Sequence, residues 1–249
     1  MRTIVCLKRV PDTETRIRVD ASGVRIDTAG VKYVVSPYDE YAIELALRAK
    51  EGAGLGEVDL VTFGDASAQE ALRKGLAMGA DSALLLVGEP DMDGLATAKT
   101  LASELKESDA PLILFGAKAA DDDQQQVGPM FAVLTGRACV TGVSTFTLEG
   151  DKAICHREVE GGTEVVEVGL PAVLTITKGP HDPRIASLKG TMAAKKKPLV
   201  EKAAQLHPSR MRVHALREPA ARPACRIVGQ GPDAVPELVR LLREEAKAI

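Results

Sequence analysis

Pro111-Leu-Ile-Leu-Phe115 runs directly into Gly116-Ala-Lys-Ala-Ala-Asp-Asp-Asp-Gln-Gln-Gln-Val-Gly-Pro129. The short apolar run reads as a strand covered on both faces, the usual appearance of a strand in a parallel sheet. Met130-Phe-Ala-Val-Leu134 reads as the first turns of a helix. A ligand on an open α/β sheet sits at the carboxyl ends of the strands, so this loop is the place to look for a nucleotide. It has neither the glycine-rich dinucleotide fingerprint nor the Gly-Lys-Ser/Thr of a phosphate loop. Asp121, Asp122 and Asp123 supply acceptors, Gln124, Gln125 and Gln126 supply amides, and Val127-Gly128 presents backbone N–H groups at a helix start. By composition alone the segment reads as a solvated polar loop.

The same alternation extends towards the N-terminus. Thr3–Leu7, Val58–Phe63, Ala83–Val87 and Leu112–Phe115 are short strands rich in Val, Ile and Leu. Helices separate them. Ser36-Pro37-Tyr38-Asp39 is a helix start in which Ser36 caps, Pro37 takes the first position and Asp39 supports the positive end. Tyr38, Tyr41, Ala42, Leu45, Ala46 and Ala49 form its apolar stripe, and Gly52 ends it. Ser67-Ala-Gln-Glu70 has capping-box spacing and opens a helix that stops at Gly79. Gly94–Glu107 makes a third. Strands joined by helices imply parallel crossovers.

Arg16–Val19 and Val24–Ile26, around Ala21-Ser22-Gly23, interrupt this rhythm as an expected β-hairpin. Beyond Cys139, the runs Val143–Leu148, Ala153–Val159 and Val165–Val168 are divided by Glu149-Gly150-Asp151 and Gly161-Gly162, which are hairpin turns. Pro171–Thr177 is one more buried strand. Gly179–Arg184 is a loop with two prolines, and Lys195-Lys196-Lys197 reads as a solvated basic run. Pro208, Pro219, Pro223 and Pro232 mark an extended arm. A terminal amphipathic helix follows from Asp233, with Val235, Leu238, Val239, Leu242, Ala246 and Ile249 on one face. The expected organisation is an α/β nucleotide-binding domain over residues 1–205, with helices on both faces of a parallel sheet and added hairpins, then an extended C-terminal arm with its helix over 206–249.

Composition narrows the function. The 249 residues carry a net charge of −3, which gives no global basic field for nucleic acid. With no Trp and 3% aromatics, stacking platforms for bases are few. Cys6, Cys139, Cys155 and Cys225 form no Cys-x-x-Cys pair, and their spacing to the four histidines fits no zinc site, so no metal is expected. Cys6 reads as a small buried hydrophobe. No segment reaches the ~20 apolar residues of a membrane span, and no signal peptide is visible. The expectation is a soluble, cytoplasmic protein without a catalytic set of its own.

Six segments, in order, carry a resemblance: Val5-Cys-Leu-Lys-Arg-Val-Pro-Asp-Thr13, Val35-Ser-Pro-Tyr-Asp-Glu40, Leu76-Ala-Met-Gly-Ala-Asp81, the loop Gly116–Pro129, Arg157-Glu-Val-Glu-Gly-Gly-Thr-Glu-Val-Val166 and Leu170-Pro-Ala-Val-Leu-Thr175. Together they resemble the β subunit of electron-transfer flavoproteins over nearly the whole chain. Cys155 departs from that family's signature, which has an aliphatic residue or glycine there.

The resemblance implies an electron carrier rather than an enzyme. Its α subunit carries FAD, its own site holds AMP, its electron donors are acyl-CoA or other flavin dehydrogenases, and its acceptor is a quinone oxidoreductase. It also implies no direct membrane insertion. The implied nucleotide contacts are Cys6, Ser36, Pro37, Tyr38, Asp39, Phe63, and Gly116, Ala117, Lys118, Ala119, Ala120, Asp121, Asp122, Asp123, Gln124, Gln125, Gln126, Val127 and Gly128. Gln125, Gln126 and the Val127 and Gly128 amides would receive the phosphate. Since three carboxylates repel a phosphate, at least one of Asp121–Asp123 is expected to face away and accept backbone N–H groups. Val10–Thr13 resembles the loop that nears the partner's flavin. Lys178–Leu188 resembles the loop that anchors a dehydrogenase, with Ile185 and Leu188 as its apolar residues.

Two alternatives stay open. Within the family, electron-bifurcating members hold a second FAD in place of AMP; Gln126-Val-Gly-Pro129 resembles theirs, while Asp121-Asp-Asp123 resembles the AMP binders. Outside it stands a nucleotide-hydrolysing enzyme on a similar sheet, against which Lys8-Arg-Val-Pro-Asp12 offers no glycine-rich phosphate loop.

Overall fold

The computed structural model describes residues 2–53, 56–221 and 224–249. Pro223 of the expected arm lies outside the described residues. In chain order the elements are β1 (Arg2–Cys6), β2 (Arg9–Pro11), β3 (Tyr33–Val35), α1 (Pro37–Ala53), β4 (Glu57–Gly64), α2 (Gln69–Met78) and β5 (Ser82–Val87). Then come α3 (Gly94–Leu105), β6 (Leu112–Gly116), α4 (Val127–Thr135), β7 (Ala138–Glu149), β8 (Lys152–Val159), β9 (Gly162–Gly169) and β10 (Ala172–Ile176). The chain ends with α5 (Leu188–Ala194), β11 (Leu199–Ala203) and α6 (Val235–Glu244).

One sheet runs β11-β5-β4-β1-β6-β10-β7-β8-β9. Every pairing from β11 to β7 is parallel, and β7-β8-β9 is an antiparallel meander. Alternate residues of the central strands feed two cores. Val5, Leu112 and Leu114 join the side chains of α1 and α2 on one face, while Ile4, Cys6, Ile113 and Phe115 join those of α3 and α4 on the other. That double burial is why successive residues such as Ile4-Val5-Cys6 and Leu112–Phe115 are apolar rather than alternating. From β1 the chain winds outward to β4 and β5, then crosses back to β6 on the other side of β1. The reversal opens a crevice at the carboxyl ends of β1 and β6.

Several local expectations are corrected. Arg16–Val19 and Val24–Ile26 form no strands; only a single bridge joins Val19 to Ile26. The segment's charged residues have no second face to cover, and the pairing falls instead on β2 and β3, which flank the excursion and bury Val10 and Val35. Ser67 caps nothing. Asp65 accepts from the Ser67 amide at 2.7 Å and opens a single 3₁₀ turn, Ala66–Ala68, before α2 begins. At α1 the Ser36 carbonyl takes the Asp39 and Glu40 amides. The Ser36 hydroxyl is left buried without a partner among the described residues.

The region after Lys178 holds more structure than its composition suggests. The α5 helix packs on α2, and β11 extends the sheet beside β5. Lys197 is not a solvated member of the basic run: its ammonium donates to the carbonyls of Leu76 and Ala80 near the end of α2. The terminal helix is shorter than the apolar stripe implies. A 3₁₀ turn spans Pro232–Ala234, α6 stops at Glu244, and Ala246 and Ile249 lie beyond it.

Candidate functional site

A cavity of about 360 Å³ opens at the switch point between β1 and β6. Its floor is apolar: Cys6 from β1, Val61 and Phe63 from β4, Phe115 from β6 and Leu101 from α3. The rim is the chain from Gly116 through Ala117, Lys118 and Ala119 to Asp122, then Gln124, Gln125, Gln126, Val127 and Gly128. The loop is held by unusual backbone geometry, with φ of 52° at Asp123 and 56° at Gln125.

Asp39 ties the two sides of the cavity together. From the first turn of α1 its carboxylate accepts the Lys8 amide at 2.7 Å and the Gly116 amide at 2.8 Å. A Cβ on Gly116 would meet Asp39 and the backbone of Tyr38, so only glycine permits this approach. Burial pushes the acid up to about 7, against the lowering effect of both amides and of Lys8. Burial, with Asp39 adding to it, also pushes the Cys6 thiol far up. Cys6 therefore stays a protonated, apolar surface rather than a nucleophile.

The three loop acids are each paired with a lysine. Lys8 Nζ lies 2.8 Å from both Asp121 and Asp122, and Lys118 Nζ lies 2.8 Å from Asp123. Partial desolvation lowers the Lys8 pKa, but the two carboxylates outweigh it and the net shift is upward. Asp122 also accepts the Gln124 amide at 3.3 Å, a backbone bond of the kind expected of this acid run. At the start of α4, Gln126 makes no side-chain cap.

A family model for the electron transfer flavoprotein domain matches residues 23–207. The electron transfer flavoprotein subunit beta of Bradyrhizobium diazoefficiens is 40% identical over 250 residues, covering 99% of each chain. That of Bacillus subtilis is 35% identical over 260 residues and the whole of both chains. The pig protein of the same name is 37% identical over 98% of this chain and 97% of its own. The chain belongs to the electron transfer flavoprotein β-subunit family.

Against that family's expected contacts, the structure divides the candidate residues. Cys6, Asp39, Phe63, Gly116–Ala119, Asp122 and Gln124–Gly128 line the cavity, while Ser36, Pro37, Tyr38, Ala120, Asp121 and Asp123 do not. Tyr38 instead faces a neighbouring polar groove with Lys118, Gln125, Ser144, His156 and Lys178. Gly128 is needed for packing: its Cβ would lie 2.7 Å from Thr175 Cγ2 and 3.4 Å from Phe115. Lys8, Arg9, Thr28, Tyr33, Asp65, Pro90, Met92, Gly94 and Thr97 also line the cavity and escaped sequence reasoning. Most come from connections whose path only the fold reveals; the lysine–aspartate complementarity of Lys8 and the loop was the one visible signal.

Among the described residues no helix is long and apolar enough to cross a membrane.

Proposed function

We propose that this chain is the nucleotide-holding partner in a heterodimeric electron-transfer flavoprotein, with AMP in the switch-point cavity and FAD carried mainly by an α subunit. The observation that carries the reading is the coincidence of the Gly116–Gly128 loop, the family's implied nucleotide loop, with the rim of an apolar-floored cavity at the fold's ligand position. Cys6 and Phe63 face the purine. Gln125 and Gln126 stand beside the phosphate. A cavity of about 360 Å³ lies at the small end of ligand pockets (~300–1,000 Å³), which favours a mononucleotide over a second FAD.

In this reading the flavin does the redox chemistry when bound, and this chain's residues bind and orient. Electrons arrive from acyl-CoA or other flavin dehydrogenases and leave to a quinone oxidoreductase. The loop before α5 is braced for docking: Arg184 bonds Glu44 and Glu51 of α1, while Ile185 is 94% exposed. Residues 206–249 act as an arm that packs on the α subunit. The α6 side chains Val235, Leu238 and Val239 are open to solvent in the single chain, which supports a partner surface rather than a fold-back.

The test is to purify the full chain alone, denature it and identify the released nucleotide by chromatography. Stoichiometric AMP without flavin is expected. Stoichiometric FAD would replace this reading with the electron-bifurcating one, and an empty chain that binds no adenine nucleotide would refute the site.

A further inference from the structure

We propose that the first residues of the C-terminal arm are a strap that holds one wall of the nucleotide cavity shut, fastened at Asp93, so that arm and nucleotide stabilise each other's position. The inference rests on the nucleotide reading above and adds the regulation of that same site.

The wall is weakly held from within. Pro90, Met92 and Gly94 line the cavity and belong to the connection between β5 and α3. Gly88 donates its amide to the Gly64 carbonyl at 2.9 Å, and the next backbone bond along the connection is the local one from the Met92 amide to the Pro90 carbonyl at 2.8 Å. A segment with so few internal bonds takes its position from outside contacts. At its far end the wall meets the nucleotide loop: a Cβ on Gly94 would lie 3.0 Å from Gln126 Oε1 and 3.4 Å from Gln124 Oε1. A shift of Asp93 therefore widens the mouth between Gly94 and the two glutamines.

The arm supplies the outside contacts. The Ala204 amide donates to the Val87 carbonyl at 2.9 Å as the chain leaves β11. Leu206 then passes Gly88, where a Cβ would lie 2.8 Å from Leu206 Cδ2 and 2.9 Å from Phe63 Cε2, so arm and cavity floor meet over one glycine. At Asp93 the two carboxylate oxygens divide their work. Oδ1 caps α3 by accepting the Ala96 amide at 2.8 Å, while Oδ2 accepts the Arg210 amide at 2.5 Å and the Met211 amide at 2.9 Å. The Asp93 amide donates to the Ser209 hydroxyl at 2.7 Å. The Ala96 amide, followed by those of Arg210 and Met211, holds this carboxyl down at about 2, so it is a charged acceptor near neutral pH. Met211 is 71% exposed; the fastening is polar, and it can open without unpacking a core. Further on, the Leu216 amide donates to the Gly23 carbonyl at 2.8 Å, and Arg25 of the same excursion pairs with Asp91 of the wall at 2.6 Å. A nucleotide that favours the closed wall favours the fastened arm by the same factor, and the reverse.

The test reads arm and nucleotide separately. Asn caps a helix about as well as Asp, so Asp93→Asn keeps the Ala96 bond and turns an amide nitrogen towards the Arg210 and Met211 amides. Ser209→Ala loosens the fastening from the arm side. The stripped full chain and both variants are digested with trypsin, which cuts after Arg210 and Arg212, with and without saturating AMP. Calorimetry measures AMP affinity, and thermal melting confirms folding. AMP is expected to slow cutting of the wild-type arm about fivefold, the low end of typical coupling. Asp93→Asn is expected to speed cutting, abolish the protection and weaken AMP by a similar factor, with Ser209→Ala changing all three in the same direction. A wild-type chain that binds AMP without protecting its arm overturns the strap and leaves the nucleotide site standing. So does a variant whose arm is cut faster while its AMP affinity is unchanged. A wild-type chain that binds no AMP refutes the nucleotide reading itself, and the strap with it. If Asp93→Asn fails to fold, Ser209→Ala decides by the same criteria.

Discussion

Asp39→Asn is the substitution whose effect the structure specifies most closely. The side chain keeps its shape, but one of two acceptors becomes an amide nitrogen facing a backbone N–H, either that of Lys8 or that of Gly116. Orphaning a buried amide costs about 1–3 kcal/mol. Against this stands the cost of the native charge. A rise from 3.8 to about 7 corresponds to roughly 4 kcal/mol disfavouring the ionised form. Because the folded-state value is raised, the folded protein keeps this proton between pH ~4 and ~7 where the unfolded chain has lost it. The group's contribution is therefore full below about pH 4 and disappears as pH rises through 7. Asn has no such dependence. The variant's penalty is expected to be about 3 kcal/mol larger at pH 5 than at pH 8, where relief of the buried charge offsets much of the lost hydrogen bond. Urea unfolding of both proteins at the two pH values measures it, since the other carboxylates titrate in both and cancel. A penalty equal at both values, or larger at pH 8, would refute the reasoning.

Three further outcomes follow from the packing. Arg184→Met strips Glu44, whose side chain is 1% exposed, of its closest loop partner; with Arg48 still 2.7 Å away, a loss of about 3 kcal/mol is expected in urea unfolding. Gly128→Ala drives a methyl into Thr175 Cγ2 and is expected to cost about 1–3 kcal/mol. Thr175→Ser removes that methyl, and the double variant should recover part of the loss; an additive double variant would show that the contact is not the cause. Leu238→Asp with Leu242→Asp should leave the melting temperature of the single chain nearly unchanged, because Val235, Leu238 and Val239 of α6 are open to solvent in the single chain. The same pair should abolish co-purification with an α subunit, and a large melting loss in the chain alone would instead mean that α6 folds back.

The parallel half of the fold was legible because its strands obey a simple rule. Ile4, Val5 and Cys6 alternate between two cores, so consecutive residues are apolar and the run is bounded by polar ones. The hairpin turns at Gly150 and Gly161 were equally readable, since both adopt positive φ. Failures occurred where tertiary contacts overrode local pattern. Ser67 has the spacing of a cap, but Asp65 reaches its amide first and starts a tighter turn. Leu199–Ala203 is largely exposed on the sheet's edge and so lacks the apolar signature of a strand. Lys195–Lys197 reads as one basic run, yet only Lys197 is placed to reach the carbonyls at the end of α2.

The site shows the same division at the level of charge. Three consecutive aspartates in a loop proposed to hold a nucleotide look self-defeating in sequence, because a phosphate there would meet like charge. In the fold Lys8 pairs with Asp121 and Asp122 and Lys118 with Asp123, so the acids act as struts that fix the rim. Arg9, a third cationic residue lining the cavity, sits on a strand of three residues and stacks on Tyr33, more than twenty positions away in the chain. Neither residue has a local pattern that marks it, since the contact exists only because β2 and β3 pair across the excursion between them. Loop composition locates the rim of the cavity, but the pairing of its charges is set by residues that the fold brings from elsewhere in the chain.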